Sequence, residues 1–265
     1  MKSYIGLDIG GTKIYGGLIT DRGDILRSHE GPSLLKHGNA AFLHNLVKFI
    51  QDLAGDTKFY GIGIGLAGHI DCARNRITSA GPNFPKNFGK IALAPALLKK
   101  FRVPVVLEND ANVFGLGEAV FGQGKGHDRV VAVTLGTGIG GAIIQNKQLV
   151  HGKNNLAGEV GQMFTSDSRK TWEKLAAGRA FNIHGNLNKE ADLLGAGLHN
   201  ILNTLDPDII VIGGGVAREP GLITKTRTAA RQHLHYPALK KTPIVKSSLL
   251  RNAPILGAML IAKAK

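Results

Sequence analysis

A single cysteine, Cys72, is all that 265 residues contain. One thiol excludes an internal disulfide, and it excludes a zinc site built from several cysteines. Acidic residues are also scarce: 19 Asp and Glu stand against 33 Lys and Arg, a formal charge of +14. A field of that sign attracts polyanions, nucleotides and nucleic acid among them. The positive residues are dispersed, however, and are densest at Lys99–Lys100, Lys240–Lys241 and the Lys263/Lys265 tail. Zinc fingers, RNA-recognition signatures and arginine-rich arms are missing, so the expectation is a solvated basic surface without a nucleic-acid partner. Long apolar runs are missing too. Ile209-Ile-Val-Ile212 is far short of the roughly 20 residues a membrane span requires. The N-terminus, Met1-Lys-Ser-Tyr-Ile-Gly-Leu-Asp, enters a strand pattern at once and does not read as a signal peptide. These absences predict a cytoplasmic protein with no membrane partner.

What is present is an alternation of strands and helices. Tyr4 to Ile19 reads as strand, glycine turn, strand; Asp21-Arg-Gly-Asp24 turns into a third strand, Ile25 to His29. Asn39 to Leu53 places apolar residues at 42, 43, 46, 47, 50 and 53, which is helical spacing. A strand from Phe59 to Leu66, a Gly/Pro/Asn-rich loop from Ser79 to Gly89 and a helix near 90–100 follow. Val103-Pro-Val-Val-Leu107 then leads into Glu108-Asn-Asp-Ala-Asn112 and a helical stretch to Phe121. From Val130 the strand, glycine turn, strand pattern begins again. Sliding the second copy so that Gly136 falls on Gly10 puts Thr134 on Asp8 and Leu135 on Ile9. Each copy opens one half of the chain, which suggests two related α/β lobes. Helices near 171–180 and 190–205, a buried strand at Ile209–Ile212, a helix near 219–233, a short strand near 243–246 and a helix near 253–263 complete the pattern. No low-complexity linker interrupts it.

Four places have the composition for chemistry. Asp8-Ile-Gly-Gly-Thr-Lys13 joins two strands, and glycines there let backbone N–H groups approach an anion. Thr12 adds a hydroxyl, Lys13 a charge, and Asp8 a carboxylate suited to Mg²⁺ directly or through water. The segment is neither a Walker loop nor a dinucleotide fingerprint, because a strand follows it. A tight hairpin with no ligand accounts for it equally well. Gly136-Thr-Gly-Ile-Gly-Gly141 repeats the features, and two such turns would hold one polyphosphate. Gly213-Gly-Gly215 follows the buried strand, where it would lie by an adenine or merely admit a helix. Asn83, Asn109 and Asp110 are dense in groups that read hydroxyls, with Glu159 and Glu173 as further acceptors. Asp110 itself reads either as a general base or as the N-cap of the following helix.

Leu7-Asp-Ile-Gly-Gly-Thr-Lys-Ile14, Gly61-Ile-Gly-Ile-Gly65, Gly81-Pro-Asn83, Glu108-Asn-Asp-Ala-Asn112, Leu135-Gly-Thr-Gly-Ile-Gly-Gly141, Ala157-Gly-Glu-Val-Gly161 and Leu205 to Gly215 occur in a telling order. In that order the chain resembles the ROK family (repressor, open reading frame, kinase) of the actin-like ATPase superfamily. The family's sugar kinases include glucokinases, N-acetylglucosamine and N-acetylmannosamine kinases, and fructokinases. The resemblance implies an α/β, two-lobed actin-like (ribonuclease H-like) fold with a cleft between the lobes. Residues 1–113, joined by the C-terminal helix at about 252–265, would form the smaller lobe, and 114–251 the larger. It implies that Asp110 takes the proton from the 6-hydroxyl of a hexose or N-acetylhexosamine, whose ring Asn83, Asn109, Glu159 and Glu173 hold, with Gly68 nearby. It also implies that Gly10, Gly11, Thr12 and Lys13, together with Gly136, Thr137 and Gly138, cradle the phosphates of ATP. Asp8 would stand near Mg²⁺ and Gly214 beside the adenosine.

The chain departs from that family at one place. Many members carry a histidine after Gly-Glu-x-Gly and a C-x-C-G-x-x-G-C cluster that together bind zinc; here the histidine position is Gln162 and the cysteines are missing. Thr171 stands where the last cysteine would be, and the loop Met163–Lys170 is short. The expectation is therefore no bound zinc. The region from Gly178 to Leu193 is shortened as well, which leaves open the homodimer that it helps build elsewhere in the family. The leading expectation is an ATP-dependent hexose 6-kinase, with glucose or N-acetylglucosamine favoured over fructose, mannose and N-acetylmannosamine. A DNA-binding repressor is disfavoured because the first strand begins at Tyr4. A sugar- or nucleotide-binding protein that has lost catalysis, with a regulatory role, is the alternative.

Overall fold

Residue 3 already belongs to a sheet. In the computed structural model, which describes residues 1–81, 84–85, 87–88, 91–165, 169–178 and 185–265, β1 (Ser3–Ile9) pairs antiparallel with β2 (Lys13–Thr20), and β2 with β3 (Ile25–Pro32). Ile5, Leu7 and Ile9 are buried, as are Ile14, Leu18 and Ile19 across the turn. Helix α1 (Asn39–Ala54) buries Phe42, Leu46, Phe49, Ile50 and Leu53, the stripe its spacing predicts. Strand β4 (Ile62–Leu66) is followed by a hairpin, β5 (Gly68–Asp71) and β6 (Arg76–Ala80), that the sequence reading did not anticipate. Its core consists of Ile70 and Ile77, too little alternation to register in the sequence. Helix α2 (Leu93–Phe101), β7 (Val105–Asn109) and α3 (Asp110–Phe121) come next. The sheet order is β3-β2-β1-β4-β7, with β1, β4 and β7 parallel.

The second half builds its own sheet from β8 (Arg129–Leu135), β9 (Ile139–Gln145), β10 (Gln148–Leu149), β11 (Ile209–Gly213) and β12 (Ile244–Lys246), in the order β10-β9-β8-β11-β12. A meander followed by two parallel strands is the plan of both sheets, so the repeated glycine hairpin marks a repeated topology. Helices α4 (Trp172–Ala176), α5 (Leu187–Leu205), α6 (Leu222–Arg231) and the short α7 (Pro237–Lys241) accompany it. Val131, Val133, Leu135, Ile210 and Ile212 share one core with Trp172, Leu194, Leu198, Ile201 and Leu202.

The last helix, α8 (Asn252–Lys263), returns to the first sheet and lies on β1 and β4. Gly6 and Gly63 make this possible: a side chain at either would collide with the carbonyl oxygens of Ile255 and Ala258. By their contacts the residues divide into Met1–Gly117 with Gly152–Leu156 and Arg251–Lys265, and Glu118–His151 with Ala157–Leu250. The chain passes from one unit to the other at Gly117, four residues beyond the boundary read from the sequence, because α3 runs unbroken through that point. Among the described residues no helix is long and apolar enough to cross a membrane.

Candidate active site

The junction of β7 and α3 is organised by two side chains that precede Asp110. Glu108 is buried, and its Oε1 accepts hydrogen bonds from the Asn109 N–H (2.8 Å) and from Asn112 Nδ2 (2.9 Å). Asn109 Oδ1 accepts from the N–H groups of Ala111 (2.9 Å) and Asn112 (3.2 Å), while its Nδ2 donates to the Gly68 carbonyl (3.1 Å). Two free N–H groups at a helix start are what a cap satisfies, so Asn109 caps α3. Asp110 is thereby the first residue of the helix and not its cap. Its Oδ1 accepts the N–H of Ala111 at 2.9 Å. Burial raises the Asp110 pKa, against the opposing pull of the Ala111 N–H and its own.

The parallel register sets Asp8 beside Gly65 and Gly65 beside Glu108. Asp8 and Asp110 thus stem from strand ends two places apart, about 10 Å in strand spacing. Gly65 between them contributes no side chain, and a Cβ there would lie 3.6 Å from the Asp110 Cα. Burial pushes the Asp8 carboxyl up to about 7, and the charge of Asp110 adds to the rise; no cation among the described residues offsets them. Two carboxylates with no cationic partner among the described residues are a donor set that suits Mg²⁺.

The first glycine turn is braced from behind by a residue that sequence reasoning missed. Ser33, buried at the end of β3, donates its N–H to the Thr12 carbonyl (2.9 Å) and its Oγ–H to the Gly11 carbonyl (3.0 Å). A trans peptide points its N–H opposite its C=O, so the Thr12 N–H faces away from Ser33. Gly10 N–H closes the turn on the Lys13 carbonyl at 2.9 Å. Lys13 is exposed, and its Nζ pairs with Glu30 Oε1 at 2.6 Å, which holds the Glu30 carboxyl below its ordinary range. No local sequence signal links Ser33 or Glu30 to the turn, because strand pairing alone brings them there.

The second turn is braced in the same sense by different groups. Gly136 N–H donates to the Gly138 carbonyl (2.9 Å), and the Gly178 N–H donates to the Gly136 carbonyl (2.9 Å). The Thr137 N–H accordingly points away from Gly178, as that of Thr12 does from Ser33. Glu173 Oε2 accepts the Ile139 N–H at 2.9 Å and lies against Gly138. Glu159 is exposed at the head of a short turn of 3₁₀ helix, Val160–Gln162. Gly214 follows β11 with φ +92° and packs its backbone on Leu135. Asp8, Gly10 to Lys13, Gly68, Asn109 and Asp110 therefore gather in one unit, and Gly136 to Gly138, Glu159, Glu173 and Gly214 in the other. Asn83 lies outside the described residues.

The sequence profile of the ROK family matches residues 4–186 and 184–265. A glucokinase of Thermotoga maritima is 27% identical, across 98% of this chain and 97% of its own length. A xylose repressor of Bacillus spizizenii is 30% identical, across 96% of this chain and 75% of its own length. The crystal structure of a ROK family glucokinase from Streptomyces griseus, in complex with glucose and AMPPNP, matches with a TM-score of 0.85 and 26% identity, covering 99% of this chain and 100% of that one. A ROK hexokinase from Thermus thermophilus matches with a TM-score of 0.85 and 26% identity, covering 99% and 98%. The fold is the two-lobed actin-like ATPase fold. With its repeated sheets, paired glycine turns and a carboxylate at the head of α3, the chain belongs to the ROK family.

Proposed function

We propose that this protein is an ATP-dependent sugar kinase that transfers the γ-phosphoryl group of ATP to the 6-hydroxyl of a hexose, with Asp110 as general base. The observation that carries the reading is the division of labour at α3: Asn109 caps the helix and leaves the Asp110 carboxylate for other work. In the reaction the sugar O6–H bond breaks toward an Asp110 oxygen as O6 forms its bond to the γ-phosphorus. The bond from that phosphorus to the bridging oxygen breaks, and ADP leaves with the electron pair. Phosphoryl transfer asks chiefly for positioning and for stabilisation of charge. The outward N–H groups of Thr12 and Thr137 supply dipoles for phosphate oxygens, and Gly10, Gly11, Gly136 and Gly138 keep the approach open. Asp8 would hold Mg²⁺, most simply through water, and the ion would supply neutralisation of phosphate charge.

Asn83, Asn109, Glu159 and Glu173, with the backbone at Gly68, are the groups we assign to the sugar ring, and Gly214 to the adenosine. Glucose or N-acetylglucosamine is the favoured substrate, supported by the glucokinases of Thermotoga maritima and Streptomyces griseus among the similar proteins. A second reading, a sugar-binding protein with a regulatory role and no turnover, is favoured by the similarity to a xylose repressor. A coupled ADP-release assay with Mg²⁺–ATP over a panel of hexoses and N-acetylhexosamines separates the two. Turnover with glucose or N-acetylglucosamine is the expected result. Sugar binding by calorimetry without ADP release from any sugar would overturn the kinase reading.

A further inference from the structure

We propose that α4 is a splint for the second glycine turn, with Glu173 as its strut and Trp172 as the peg that fixes it; both are positioning residues for the turn at Gly136–Ile139. This rests on the reading above, in which that turn receives phosphate oxygens. Two hydrogen bonds carry the idea. Near the start of α4 the Glu173 carboxylate accepts the Ile139 N–H (2.9 Å), and just beyond its end the Gly178 N–H donates to the Gly136 carbonyl (2.9 Å). The two ends of the turn are thus held by the two ends of one short helix.

A helix of five residues cannot hold anything unless it is itself held, since one turn is not stable in water. Trp172 does the holding. It is fully buried, its Nε1–H donates to the Leu193 carbonyl (2.9 Å), and its indole lies so close on Gly197 of α5 that any side chain at Gly197 would overlap the ring. Its backbone N–H donates to the Met163 carbonyl (2.7 Å), and a β-bridge between Phe164 and Thr171 closes the segment in front of it. The path runs from α5 through the indole to α4, and from α4 through a carboxylate and a peptide to the turn. In this path Glu173 acts on the phosphate end of the reaction, whatever contact it also makes with sugar.

The strut and a pure sugar ligand differ in what a carboxamide can replace. Glu173→Gln keeps an oxygen for the Ile139 N–H, whereas Glu173→Ala removes it. With ATP and sugar varied separately, Glu173→Ala should raise the KM for ATP on the order of tenfold, the effect of losing one charge-assisted hydrogen bond. Glu173→Gln should recover most of that rise, even where its KM for sugar stays high. Hydrogen exchange of the 136–139 amides should quicken in Glu173→Ala and in Trp172→Leu, and stay slow in Glu173→Gln. Equal KM values for ATP in the Ala and Gln variants, or unchanged exchange in Glu173→Ala, would overturn the splint. Should Trp172→Leu fail to fold, the Glu173 pair decides alone. Should the wild type turn over no sugar, the kinase reading falls, while the exchange measurement still judges the splint.

Discussion

The negative charge of Asp110 helps to hold the carboxyl of Asp8 at about 7, well above its ordinary 3.8. Burial is the larger cause, and no positive group among the described residues answers it. A carboxyl of this kind keeps its proton in the folded protein over a range in which the unfolded chain releases it. The folded state is therefore favoured by this group below about pH 4, and the advantage is lost as pH rises through 7. Melting temperature of the ligand-free protein should fall from pH 5 to pH 8, and Asp8→Asn should flatten that fall. An Asp8→Asn profile parallel to the wild type would contradict the assignment.

Asp110→Asn keeps the shape of the side chain and loses the base. Turnover should drop by roughly 10²–10⁴-fold, the range for removal of a positioned general base. Sugar affinity, measured by calorimetry, should change little. The same substitution removes the charge that raises Asp8, so Asp110→Asn should also melt higher than the wild type at neutral pH. Near-normal ADP release in this variant would rule Asp110 out as the base.

Glu190, on the first turn of α5, has no surface exposure, and neither of its carboxylate oxygens has a hydrogen-bond partner among the described residues. Burial pushes its pKa up to about 7. The sign is the same as for Asp8: its contribution to stability is greatest below its ordinary 4.5 and is lost as pH climbs through 7. Glu190→Met, which fills similar space without the polar atoms, should stabilise the protein by about 1–3 kcal/mol, the usual cost of an unsatisfied buried group. The gain read from urea titrations should be larger at pH 8 than at pH 5.

Asn75 fastens the β5–β6 hairpin to the free edge of β7. Its Nδ2 donates to the Val105 carbonyl (2.6 Å), and its Oδ1 accepts the Leu107 N–H (2.8 Å). It sits at φ 51°, a left-handed conformation that asparagine tolerates. Asn75→Ala loses both bonds and strains the backbone, so the urea midpoint should fall by the equivalent of about 2–3 kcal/mol with the slope unchanged. Asn75→Gly, which relieves the backbone but not the bonds, should fall less. Equal losses would show that the bonds, and not the turn conformation, account for the effect.

Much of this molecule is written in short-range pattern. The apolar stripe of Phe42, Leu46, Phe49 and Leu53 determines α1 and the face it buries, because helical spacing is local. The uniform Ile209–Ile212 run determines a covered parallel strand. The two glycine turns, each between apolar strands, announce the repeated sheets, and the order of the motifs points to the ROK family. Other decisions belong to contacts between residues far apart in the chain. Asp110 and Asn109 are both good caps by composition, and only their placement at the end of β7 assigns the cap to Asn109. Ser33 reaches the first turn because β3 pairs with β2, and Glu30 reaches Lys13 for the same reason. Glu173 is a free acceptor as far as the sequence shows, and only the fold sets its carboxylate on the Ile139 N–H. The elevated pKa of Asp8 comes from burial and a neighbour about a hundred residues away in the chain. Local spacing determined the elements, because backbone periodicity is a short-range property; burial and charge, which are sums over the whole fold, decided what the side chains on them can do.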